Sequence, residues 1–267
     1  MSVFINIFIP LIILSATIYF WLSRLPAILD SDLRAILADK KAEKPSLNVM
    51  FVTAHPDDEC MFFAPTILAL KKRGNVNIKL TCFSTGNAAG LGKVRRVELV
   101  KAAEVLGIPS TDIIIIDDES FPDDMKRAWD PVLMAKALEP IVLMSKTDTI
   151  FTFDTQGVSG HPNHISLYIG LKFMVKTGIK FKFQPVALFA LDSVSVLRKY
   201  MFFFDALFSF GEYYRNASER AMFVSDFNDY QIACRAMHKH ESQMAWFRKL
   251  YLTFSRYMYI NTYDQIA

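Results

Sequence analysis

From Leu47 onward the chain alternates short apolar runs, rich in β-branched and aromatic residues, with longer stretches of helical periodicity, and this alternation constrains its fold more than any other feature. Strand-like runs are expected from Leu47 to Thr53, Asn77 to Ser84, Ile113 to Ile116, Thr149 to Phe153 and Pro185 to Ala190. Between them the pattern predicts a helix reaching Arg73 and stopped by Gly74, one from Val94 to Leu106 stopped by Gly107, one through Leu133 to Ser145, and one after His164. Strands separated by helices must pair mostly in parallel, so the expected fold is α/β: a Rossmann-like, mostly parallel sheet with helices on both faces. With 267 residues, 52% of them hydrophobic, one full core can be buried, and a single domain over 46–267 follows.

The first residues read differently. Val3 to Leu22 is almost wholly apolar, interrupted by Asn6, Pro10, Ser15 and Thr17, and at ~1.5 Å per residue such a helix would span roughly 30 Å, one hydrocarbon core. We expect one transmembrane anchor over 1–24, followed by an amphipathic linker over 25–45. A cleaved signal peptide is the alternative, weakened by the absence of a basic amino-terminal region and of a small-residue cleavage site. Arg24, Arg34, Lys40, Lys41 and Lys44 all follow the apolar run, which by the positive-inside bias puts the domain in the cytosol and leaves the sequon at Asn216 unmodified. Thirty basic and 27 acidic residues give +3 without a basic block, so nucleic acid is not an expected partner. Cys60, Cys82 and Cys234 suit reduced thiols better than a disulfide framework.

The chemistry gathers in two short motifs, each just after a predicted strand: His55-Pro56-Asp57-Asp58-Glu59 and His161-Pro162-Asn163-His164. In open α/β sheets ligands bind at the carboxyl ends of strands, so both motifs would meet at one sheet edge. Taken singly, Asp57 or Asp58 reads as a helix N-cap and a histidine as a solvated loop residue. Together they supply two neutral nitrogens and a carboxylate, the donor set of hydrolytic zinc sites that leave positions open for water and substrate. We assign His55, Asp58 and His164 as metal ligands, with zinc expected and ferrous iron an alternative. Water on such a metal titrates near roughly 7, so a carboxylate must stand by to take its proton, and Asp57 is placed for that. His161 could donate to the developing oxyanion.

These motifs resemble the LmbE-like, or PIG-L, family of zinc-dependent de-N-acetylases. The resemblance extends over Thr85-Gly86-Asn87, Arg95 to Glu98, Phe121-Pro122-Asp123-Asp124, Thr152-Phe153-Asp154 and His240-Glu241-Ser242-Gln243, and the run on to Arg248 is similar to the eukaryotic branch. It implies the same metal, base and oxyanion roles, and adds Arg95, Glu98, Asp117 and His240 as residues near the substrate. It also implies a membrane lipid substrate, N-acetylglucosaminyl-phosphatidylinositol, deacetylated at the cytosolic face of the endoplasmic reticulum in the second step of glycosylphosphatidylinositol-anchor synthesis. A same-fold deacetylase of another N-acetylated sugar is the alternative, and an anchor argues against it because a soluble substrate needs no tether. A non-catalytic membrane scaffold would need neither Asp57 nor His161. Two aromatic stretches, Tyr200 to Phe210 and Met244 to Ile260, are expected either to pack in the core or to lie at the membrane interface.

Overall fold

The computed structural model describes residues 9–10, 12–17, 20, 46–177, 186–215 and 220–266. The linker, the sequon at Asn216 and most of the predicted anchor lie outside the described residues. No helix among the described residues is long and apolar enough to cross a membrane.

The chain after Ser46 folds as β1 (Leu47–Thr53), α1 (Asp58–Met61), α2 (Ala64–Lys72), β2 (Val76–Cys82), α3 (Gly92–Val105), β3 (Ile113–Ile115), α4 (Pro131–Met144) and β4 (Thr149–Phe153). After one turn at Gly157–Gly160 come α5 (Pro162–Lys176), β5 (Ala187–Leu191), α6 (Val196–Lys199), α7 (Asp205–Arg215), β6 (Arg220–Val224), α8 (Phe227–Met237), α9 (Trp246–Phe254) and β7 (Ile260–Gln265). The sheet order is β3-β2-β1-β4-β5-β7-β6. β3 to β5 run parallel, and β7 joins both β5 and β6 antiparallel.

That order places the site. The chain builds outward from β1 to β2 and β3 on one side, then returns to lay β4 and β5 on the other, so β1 and β4 flank a topological switch point where a crevice opens beyond their carboxyl ends. β1 is held there in fixed register, Val49 opposite Thr149 and Phe51 opposite Phe151. Phe51, Phe151 and Phe189 stack across three neighbouring strands with ring centroids 5.3 and 5.2 Å apart. Each such pair contributes about 0.5–1.5 kcal/mol beyond its buried area and pins the register that brings the two motifs level.

The structure departs from expectation in the first helix of the domain and at its carboxyl-terminal end. The first predicted helix is two, α1 and α2, separated at Phe62 and Phe63. The region from Met244 to Ile260 carries α9 but ends in a short 3-10 turn, and the last residues form a strand that pairs antiparallel with β5 and β6. In the other aromatic stretch Phe202 and Phe203 lean on Tyr259, while Phe204 and Phe208 face outward.

Candidate active site

Beyond the ends of β1 and β4, His55, Asp57, Asp58, His161 and His164 line one cavity of about 390 Å³, with Arg95, Asp123, Lys199, Arg248 and Tyr251 on its walls. A larger cleft of about 890 Å³ opens past β5, but none of the metal-capable clusters among the described residues lies in it, and Arg198 and Arg220 there already pair with Asp205 and Asp192.

Local folding fixes each ligand atom. Asp58 Oδ2 accepts the Ala54 and His55 backbone N–H groups, both at 2.9 Å, which turns Oδ1 toward His164 Nε2 at 3.3 Å. About 3.3 Å is the edge expected between two atoms that each sit ~2.0–2.1 Å from one tetrahedral zinc. His164 Nδ1 donates to the Gly157 carbonyl at 3.1 Å, so Nε2 is the nitrogen left to carry a metal. Gly157, at φ +56°, permits this approach: a Cβ there would fall 2.8 Å from His164 Cβ. Phe153 stacks flat on the His164 ring, 4.0 Å between centroids. Asn163 Nδ2 donates to the Arg127 carbonyl, so its Oδ1 is an acceptor and His55 Nε2, 3.1 Å away, must be the donor. His55 therefore turns Nδ1 to the site. Ligand atoms of His55, Asp58 and His164 lie within 4.8 Å of one another, and all three residues are buried. This set fits a divalent transition metal, with its outer hydrogen bonds already in place.

Two other clusters fit less well. In His55, Asp123 and His161 the His55 nitrogen that faces Asp123 is Nε2, 3.3 Å away, and it is already hydrogen-bonded to Asn163. In Glu59, Cys60 and His240, burial pushes the Cys60 thiol well up, and a protonated thiol is a poor ligand.

Electrostatics separates the roles. Burial raises the Asp57 carboxyl above its usual range, against the pull of Arg248, whose Nη2 sits 2.9 Å from Asp57 Oδ2. Despite burial, Asp58 is held well below the carboxylate range by His164. Burial, with His164 and His55 close by, lowers His161 to about 4, leaving it neutral with its proton on Nε2 because Nδ1 is an acceptor. Asp57 has φ +107°, a backbone strain of about 1–3 kcal/mol. Glu59 Oε2 accepts its N–H at 3.1 Å, and Glu59 Oε1 is held in turn by fully buried His240 at 2.6 Å.

Of the remaining predicted residues, Arg95 lines the cavity, donating to the Pro56 and Gly86 carbonyls at 2.7 and 2.9 Å. Glu98, Asp117 and His240 do not. Glu98 accepts from the Ser242 N–H and hydroxyl, Asp117 accepts from Thr85, and His240 reaches the site only through Glu59. Sequence reasoning missed Asn163, Asp123, Arg248 and Lys199. The first three lie inside or beside the quoted motifs, but only the fold turns them inward; Lys199, on α6, carries no motif.

The model of the family described as "PIG-L: GlcNAc-PI de-N-acetylase" matches residues 50–173. An N-acetylglucosaminyl-phosphatidylinositol de-N-acetylase from Bos taurus is 41% identical over 213 residues, covering 80% of this chain and 81% of its own. A probable enzyme of the same name from Schizosaccharomyces pombe is 38% identical over 212 residues, covering 79% and 84%. Among solved structures, N,N'-diacetylchitobiose deacetylase from Pyrococcus horikoshii superposes with a TM-score of 0.54 at 17% identity, over 84% of each chain. GalB, a 4-carboxy-2-hydroxymuconate hydratase from Pseudomonas putida, gives 0.55 at 12% identity over 83% and 96%, so the fold by itself does not fix the reaction. The sequence matches do what the fold cannot: this chain belongs to the PIG-L family of de-N-acetylases.

Proposed function

We propose that the protein is a zinc-dependent hydrolase that removes the acetyl group of N-acetylglucosaminyl-phosphatidylinositol, the second step of glycosylphosphatidylinositol-anchor synthesis. The observation that carries the reading is the meeting of both histidine motifs at the switch point, with Asp58 and His164 3.3 Å apart and Asp57 and His161 in the same cavity. Family membership and the names of the Bos taurus and Schizosaccharomyces pombe relatives support the substrate.

His55, Asp58 and His164 would hold the metal. When bound, zinc supplies a Lewis acid that acidifies water and polarises a carbonyl. Asp57, its carboxyl raised by burial, takes the proton of the attacking water and returns it to the departing nitrogen, so acetate leaves and the sugar keeps a free amine. His161, neutral, donates a hydrogen bond from its Nε2–H to the acetamide oxygen as charge builds there. Arg248 keeps Asp57 aimed, and Arg95 ties the loops after β1 and β2 together. The anchor over 1–24 and linker over 25–45 would tether the 46–267 domain to the cytosolic face of the endoplasmic reticulum, within reach of a lipid.

Mass spectrometry of N-acetylglucosaminyl-phosphatidylinositol incubated with the purified full chain tests the reading. We expect a product lacking one acetyl group, together with free acetate. An unchanged lipid alongside deacetylation of a soluble N-acetylated sugar would overturn the substrate.

A further inference from the structure

Charge pairing inside the cavity leaves one group over. Asp57 faces Arg248, Asp58 faces His164, and Asp123 lies 3.4 Å from Arg95 Nη1. Lys199, the last residue of α6, lines the same cavity, and among the described residues no carboxylate or other acceptor bonds its ammonium. Its Nζ stands 5.9 Å from the ring centre of Tyr251 and 6.0 Å from that of Tyr200. Rings so placed hold a cation by their negative faces without neutralising it. Arg248 is the next cation, and its Nε is buried with no partner. Burial and Arg248 both press the lysine's pKa down, as expected for a cation with no anion beside it. A divalent metal would make the cavity more positive still.

The two helices that meet at this cation, α6 and α9, both carry exposed apolar side chains. Val196 and Leu197 of α6 are 74% and 77% exposed, and Trp246 and Leu250 of α9 are 74% and 49% exposed, while Phe247 of α9 reaches the cavity wall. A cation carried by α6 and resting on a ring of α9, with exposed apolar side chains on both helices, matches an anion that carries apolar chains. Free phosphate would use the cation and leave those side chains bare.

We propose that Lys199, with Arg248 behind it, binds the phosphodiester of a glycerophospholipid substrate, and that the exposed apolar side chains of α6 and α9 receive its acyl chains. This rests on the de-N-acetylase reading and deepens it, assigning the lipid-specific part of the site. Lys199 is half-buried where His55 and His164 are buried, so a phosphodiester held by it stays nearer the solvent while the sugar reaches the histidines. Arginine at 199 would serve as well for a phosphate, whereas methionine keeps the stem and removes the charge.

The test compares two water-soluble substrates on the full chain in detergent: a short-chain N-acetylglucosaminyl-phosphatidylinositol and the phosphate-free N-acetylglucosaminyl-inositol. One charge-assisted bond predicts that the wild type prefers the phosphodiester by about 10- to 100-fold in kcat/KM, mostly through KM. Lys199→Met and, independently, Lys199→Gln should lose most of that preference, and Lys199→Arg should keep it. Because the preference is a ratio within each variant, a fall in the amount of active protein does not hide it. An unchanged preference in both charge-removing variants overturns the assignment. A second arm measures binding of each variant to vesicles of phosphatidylserine and phosphatidylcholine without substrate. Loss of vesicle binding with the preference intact would assign Lys199 to the bilayer surface and overturn the subsite. If the wild type deacetylates neither compound, the reaction itself has been misread, a failure distinct from activity without preference.

Discussion

Replacing Asp57 with asparagine removes a proton acceptor while leaving almost everything else in place. The backbone there has φ +107°, and asparagine tolerates positive φ better than most residues, so Asp57→Asn retains the loop where alanine would add strain. The N–H that Glu59 accepts at 3.1 Å is unaffected, and an amide oxygen still reaches Arg248. The lost charge leaves Arg248 and Arg95 less compensated, at a cost to stability of about 1–3 kcal/mol. Metal binding should persist, because Asp57 is outside the ligand set. Turnover should fall by about 10²–10⁴, a barrier increase of roughly 3–5 kcal/mol. Acetate release under saturating lipid, with metal content measured on the same sample, reads both effects. Activity within tenfold of wild type, with metal bound, would refute Asp57 as the base. Glu59 could not simply take over, since both its oxygens are engaged by Asp57, Cys60 and His240.

Asn163→Leu removes the acceptor that fixes the His55 tautomer and should weaken zinc by roughly 10–100-fold in a chelator competition; unchanged affinity would mean that His55 binds through its other nitrogen. Gly157→Ala places a methyl 2.8 Å from His164 Cβ at a positive φ, so it should cut metal content and activity together, and normal values for both would contradict the close approach. His240→Gln breaks a buried pair with Glu59 and should cost about 3–5 kcal/mol near pH 6. Burial works to lower the His240 pKa, but Glu59 wins and raises it. That stabilisation is therefore complete below the unfolded value of about 6.5 and fades as pH rises through the higher folded value. Melting temperatures of wild type and variant should thus converge toward pH 9, and an equal gap at pH 6 and 9 would rule out the charged pair.

The parallel half of the sheet was legible because its central strands β1 and β4 are mostly apolar runs buried over most of their length, and their boundaries expected from sequence match those observed. β7 escaped because Asn261, Thr262 and Asp264 interrupt its apolar residues, and only pairing with β5 and β6 makes it a strand. The proposed metal ligands came from a spacing of residue types, and the structure brings their ligand atoms within 4.8 Å of one another. What a spacing cannot encode is which nitrogen of each histidine faces inward, since a turn carbonyl at Gly157 decides it for His164 and Asn163, 108 residues away, decides it for His55. Arg248 and Lys199 reach the cavity only because α9 and α6 close over it, a packing outcome with no local signature. Glu98 shares α3 with Arg95, and His240 lies in the turn before the α9 that carries Arg248, yet they bind Ser242 and Glu59 and leave the cavity to others.

The central claim is that His55, Asp58 and His164 hold one catalytic metal. Metal content by inductively coupled plasma mass spectrometry, paired with acetate release from the same preparations, tests it most directly. Wild type and Asp57→Asn should each carry one metal ion per chain, and Asp58→Ala and His164→Ala should carry almost none and release no acetate. Wild-type metal content in Asp58→Ala or His164→Ala, or full acetate release from metal-free protein, would contradict the account.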